Sequence, residues 1–95
     1  GFLQKKPGKR EEKLNNIKGV SKTMNLSIVI YESTVRLEKI IGEMMEIFGE
    51  DVRMCLAVDL TKVSEKIFRG SIVEILEMVR NTKLKGESTM VVSLV

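Results

Sequence analysis

The sequence predicts a small two-layer α/β domain, or α+β in the looser sense, ordered strand, helix, strand, helix, strand, with a three-stranded sheet behind a basic N-terminal arm. Three observations carry this. Leu26 to Tyr31, Val52 to Leu60 and Thr89 to Val95 are short runs of β-branched and aliphatic residues. The two segments between them repeat apolar residues at the i, i+3, i+4 spacing of a helix face. A length of 95 residues with 43% apolar content fits one domain with a modest core.

The arm is set apart by charge. Residues 1–23 hold seven basic side chains (Lys5, Lys6, Lys9, Arg10, Lys13, Lys18, Lys22) against Glu11 and Glu12, whereas residues 24–95 hold nine basic and eleven acidic ones. The chain therefore divides into an arm, 1–23, and a single domain, 24–95, whose acidic balance suits docking of the arm. Pro7-Gly8 punctuates the arm, and Lys9 to Lys18 fit about two helical turns with Leu14 and Ile17 on one side.

Leu26, Ile28 and Ile30 alternate with Val29 and Tyr31, which predicts a strand. Ser33 or Thr34 can cap the next segment, where Leu37, Ile40, Ile41, Met44, Ile47 and Phe48 form one helical face and Gly49 ends it. In Val52 to Leu60 the small residues Cys55 and Ala57 face away from Met54, Leu56 and Val58, the pattern of a central strand covered on both sides. Lys62 to Arg69 is ambiguous. Ser71 followed by Glu74 is a capping box, so the second helix starts at Ser71 and runs to about Asn81. Thr89 to Val95 closes the sheet with almost no polar side. Helices between strands imply parallel pairing, and an apolar last strand at a sheet edge is a template for another chain.

Histidine is absent and there is a single cysteine, Cys55. That excludes Ser-His-Asp and Cys-His nucleophile pairs, imidazole metal sites and an internal disulfide, and suits a reducing compartment. No run of 18 apolar residues and no signal-like leader is present, so an intracellular protein, cytoplasmic or nuclear, is expected. Glu38, Glu43, Glu46, Glu74 and Glu77 fall on expected solvent faces. Asp59 ends the second strand, where open α/β sheets bind ligands, although a turn aspartate is the simpler role. Cys55 reads as a small core side chain.

Leu56-Ala57-Val58-Asp59-Leu60-Thr61, with Ser71 opening a helix and Met90-Val91-Val92 following, resembles the middle of STAS-type anti-sigma-factor antagonist domains, but Phe68-Arg69-Gly70-Ser71 replaces their Asp-Ser-Ser-Gly motif. Residues 26–63 look like the opening of a flavodoxin without the glycine-containing phosphate loop, since Glu32-Ser33-Thr34-Val35 stands there. The element order is similar to Alba-type nucleic-acid-binding proteins, with Glu32 and Ser33 where basic residues are expected. Each departs at the motif that would bring function.

The residues point to a non-enzymatic protein-protein interaction or oligomerisation module, most simply a homodimer. It would use an exposed strand edge and an apolar helix face, with Met44, Met45, Phe48, Met90, Val92 and Leu94 at the interface. No catalytic residue, cofactor, metal or membrane contact is expected. The alternative is a nucleic-acid-binding protein whose Lys5, Lys6, Lys9, Arg10, Lys83 and Lys85 make weak, salt-dependent phosphate contacts.

Overall fold

In a computed structural model, residues 5–59 and 65–94 are described. The elements in order are α1 (Pro7–Ser21), β1 (Leu26–Ser33), a single 3-10 turn (Thr34–Arg36), α2 (Leu37–Phe48), β2 (Arg53–Val58), β3 (Lys66–Ser71), α3 (Ile72–Asn81) and β4 (Glu87–Leu94). The strands form one four-stranded sheet in the order β1-β4-β2-β3, with every neighbouring pair antiparallel. The α/β class holds; the strand count and directions differ from the prediction.

Both differences have local causes. In the ambiguous stretch, of which residues 62–64 lie outside the described residues, Lys66–Ser71 is a strand, because Ile67 and Arg69 alternate with Phe68 and Gly70, and it forms a hairpin with β2 in the register Arg53↔Ser71 to Val58↔Lys66. The crossovers through α2 and α3 do join strands that run the same way. In each case, however, a strand from the other crossover lies between them: β4 separates β1 from β2, and β2 separates β3 from β4. The last strand is therefore inner, hydrogen-bonded on both sides, and the expected exposed C-terminal edge does not exist. The β2 strand is inner, as its apolar composition implies. Leu60 and Val95, read as the ends of two strands, lie outside the described residues.

Register sorts the sheet into two faces. Ile30, Met54, Leu56, Val58, Met90, Val92 and Leu94 point into a core completed by Leu37, Ile40, Ile41 and Met44 of α2 and Ile72, Ile75 and Leu76 of α3. The opposite face carries Val29, Tyr31, Arg53, Cys55, Ile67, Arg69 and Val91 and is covered by no helix among the described residues, with Val29, Tyr31 and Ile67 41%, 44% and 45% exposed. Cys55 is consequently half-buried on an open face rather than enclosed in a core.

The helix boundaries follow their caps. Ser33 Oγ accepts from Val35 N at 3.4 Å and opens the 3-10 turn into α2. Gly49, at φ +99°, ends α2 with its N–H on Met45 O at 2.9 Å. At α3 the capping box is complete, with Glu74 N donating to Ser71 Oγ at 3.2 Å and Ser71 N donating to Glu74 Oε1 at 2.9 Å. The Ser71 backbone N–H, with a smaller contribution from the Ser71 hydroxyl, holds the Glu74 carboxyl below its ordinary range.

Candidate nucleic-acid interface

The arm residues from Pro7 to Ser21 form α1, longer than the two turns expected, with Pro7 in the first turn where its missing N–H costs nothing. Polar residues surround this helix, so its attachment rests on few contacts. Leu14 is fully buried in the main core beside half-buried Ile17. Arg10 is also fully buried: its Nε and Nη2 both donate to the Glu43 carboxylate of α2, the second at 2.7 Å, and its Nη1 donates to Lys5 O at 2.9 Å. This fork-on-carboxylate geometry holds the Glu43 carboxyl below its ordinary range, with smaller contributions from Lys39 and Arg36.

Because one side of α1 is anchored, its other residues have fixed directions. Lys6, Lys9, Lys13 and Asn16 recur at three- and four-residue steps and line one exposed flank, where Glu12 is the acid among them. On the other flank Lys18 and Lys22 border a groove at the end of the sheet, between Phe48, Val52, Arg53 and Leu94, with Glu50 and Asp51 also on its wall.

A second group of lysines surrounds Asp59. Lys66, Lys83 and Lys85 line a depression of about 240 Å³ with Asp59 and Leu84. Asp59 itself has φ +53°, and it locks the end of β2 onto β4 because its N–H donates to Glu87 O at 2.9 Å and its Oδ1 accepts from Glu87 N at 3.3 Å. Gly86, at φ +95°, must lack a side chain, since a Cβ there would sit 2.0 Å from Asp59 Oδ1. Asp59 thus serves as a turn residue. Nearby, the Glu32 side chain is buried at the end of β1, where it pairs with Arg36 at 3.3 Å and accepts from Ser33 N at 3.0 Å.

Of the cations expected to meet phosphate, Lys5, Lys6, Lys9, Lys83 and Lys85 are exposed, whereas Arg10 is sealed against Glu43. Sequence reasoning placed Glu43 on a solvent face and had no signal for its partner 33 residues away. Met44, Met90, Val92 and Leu94 are core residues and Met45 and Phe48 are half-buried against them, so these six make no outer patch. Arg53 and Arg69, which sequence reasoning passed over, stand on the open sheet face. The alternation Arg53-Met54-Cys55 carried that signal once the core side of β2 was known. Among the described residues no group of three His, Cys, Asp or Glu is placed to hold a metal ion, and no helix is long and apolar enough to cross a membrane.

No family model matches the sequence. Curated relatives do. The chain is 32% identical over 91 residues to the ribosomal RNA small subunit methyltransferase I of Mycoplasmopsis pulmonis, a match covering 96% of this chain and 38% of that protein. It is 33% identical over 93 residues to the protein of the same name from Streptococcus pyogenes, covering 98% and 31%, and 30% identical over 92 residues to that of Bacillus subtilis, covering 97% and 30%. The chain thus spans less than two fifths of the length of these relatives. Among solved structures it is similar to a cobalt precorrin-4 methyltransferase of cobalamin biosynthesis, with a TM-score of 0.69 over 96% of this chain and 38% of that one, at 16% identity, a likeness of fold. These matches overturn the reading of a non-enzymatic interaction or oligomerisation module. They run through nearly the whole chain and lead to proteins named as enzymes, and nothing in them supports the homodimer.

Proposed function

We propose that this chain is the RNA-holding part of a methyltransferase that acts on ribosomal RNA, and that the lysine flank of α1 grips the RNA backbone. One observation carries the reading: the Arg10–Glu43 pair and Leu14 fix α1, so that Lys6, Lys9 and Lys13 become a row with about 5–6 Å between neighbours rather than a floppy tail. Each lysine that meets a phosphate releases counterions, and a fixed row does so without ordering the chain again on binding. Lys66, Lys83 and Lys85 extend the cationic surface at the far edge of the sheet. The names of the relatives support ribosomal RNA as the polyanion, and such a substrate implies an intracellular protein.

Methyl transfer itself moves a methyl group from an electrophilic donor to a nucleophilic atom, with loss of a proton from that atom. Among the described residues every buried side-chain N or O atom already has a partner, and the depressions beside α1 and beside Asp59 are lined mainly by charged side chains. No step of the transfer is therefore assigned to these side chains.

The test is the affinity of the full chain for a short fluorescein-labelled RNA, measured across a salt series. Replacing Lys6, Lys9 and Lys13 together by Gln should flatten the slope of log Kd against log salt by about 2, from roughly 0.7 per single-strand phosphate contact. An unchanged slope would reject the α1 row as the grip.

A further inference from the structure

The open face of the sheet has a feature the α1 row does not explain. Register places Cys55 opposite Arg69 and Arg53 two residues along the same strand, so the two arginines are diagonal neighbours on one face. They border a shallow depression of about 200 Å³ whose floor is Cys55, Gly70, Val91 and Ser93, and no carboxylate among the described residues lines it. Like charges on diagonal positions of one face repel modestly, and an anion lying between them relieves the repulsion. The Glu74 carboxylate reaches Arg53 at only 4.0 Å, with both side chains largely exposed, and its Oε1 is already taken by Ser71 N. Among the described residues Arg69 has no acidic partner. Beside the arginines the face is flat and apolar, with Val29, Tyr31, Val91 and Ile67 standing out from it.

Two cations next to a flat apolar floor match a nucleotide, which joins an anionic phosphate to a planar base. We propose that the open sheet face binds single-stranded RNA, with a phosphate between Arg53 and Arg69 and a base laid on the surface formed by Val91 and Cys55. The proposal rests on the RNA reading above and specifies its form. Duplex RNA is excluded by geometry, because its bases are stacked inside and its backbone cannot lay a base flat on a sheet. The path is continuous with α1: Arg53 lines both this depression and the end groove bordered by Lys18 and Lys22, so a strand leaving the arginines runs on toward the helix. A neutral apolar protein segment would match the floor but leave the two arginines unanswered.

Cys55, the single cysteine of the chain, lies in the floor and reports on what covers it. In the intact 95-residue chain, maleimide labelling of Cys55 should slow at least about fivefold in the presence of a saturating single-stranded oligoribonucleotide, and not with a duplex of the same sequence. Replacing Arg53 and Arg69 together by Gln should weaken single-strand binding about tenfold and leave duplex binding within about twofold, as expected for two charge-assisted phosphate contacts. Both arginines are exposed, so the fold is not at stake. If RNA binds through the α1 lysines while Cys55 labels at its free rate, the sheet-face site is refuted and the RNA reading stands. If no RNA binds at all, both fall. If labelling slows with protein concentration alone, the face is packing against protein, and the proposal fails.

Discussion

Removing the Glu43 carboxylate should release α1 while leaving the sheet intact. The Arg10 side chain is fully enclosed and Glu43 is 29% exposed, so Glu43→Ala strands a guanidinium that has two fewer acceptors and little access to water. Breaking a buried pair from one side costs about 3–5 kcal/mol, and the partial exposure of Glu43 puts this case near about 2–3 kcal/mol. The other substantial anchor, the buried Leu14, contributes about 1.5–3 kcal/mol. The loss thus equals most of what docks the helix, and α1 should detach rather than keep the unpaired charge buried. Hydrogen exchange is the assay: amides from Leu14 to Val20 should lose about 30- to 100-fold in protection while those of β2 and β4 change little. The double replacement of Arg10 by Met and Glu43 by Leu should restore protection, because an apolar pair of similar size avoids the desolvation cost. Equal protection of α1 in the Glu43→Ala variant and the natural chain would refute the account.

Other outcomes follow from the same geometry. Folding holds the Glu43 carboxyl below its unfolded range, so the stability it contributes is present above the unfolded pKa and is lost as pH falls through the folded one; α1 exchange should accelerate in acid before the sheet melts. Ser71→Ala removes one half of the capping box and should lower stability by about 1 kcal/mol in a denaturant titration. Gly86→Ala combines a positive φ with a Cβ in contact with Asp59, and should cost more than about 1 kcal/mol in the same titration. Cys55 should react with maleimide in the native protein, more slowly than in the unfolded chain, because it is half-buried on an open face.

What the sequence revealed and what it hid divide along range. The helical face from Leu37 to Phe48, the Ser71–Glu74 cap and the inner position of β2 are written in neighbouring residues, at periods of 3.6 and 2 or in a four-residue motif. Strand order is not. Nothing near Thr89 says that β4 inserts between β1 and β2, and an apolar strand reads the same whether it lies at an edge or inside. Once β4 is placed inside, Met90, Val92 and Leu94 become core. The candidate site shows the same limit. The lysines of α1 are legible as charge, yet their rigidity depends on Arg10 meeting Glu43, and the Arg53–Arg69 pair exists only through the β2–β3 register.

The inner position of β4 also governs the order of events when the chain is made. β1 and β2 leave the ribosome before β4, and neither touches the other; each waits for that same strand, β1 along Leu26↔Leu94 to Ser33↔Glu87 and β2 along Arg53↔Ser93 to Val58↔Ser88. A nascent chain that stops before Glu87 can close only the β2–β3 hairpin and keeps the unpaired edges of both β1 and β2 open to solvent. Pairings between partners this distant in sequence form slowly. Synthesis therefore passes through a long interval in which half-made sheet is exposed to pairing with other chains, and the arrival of eight residues ends it.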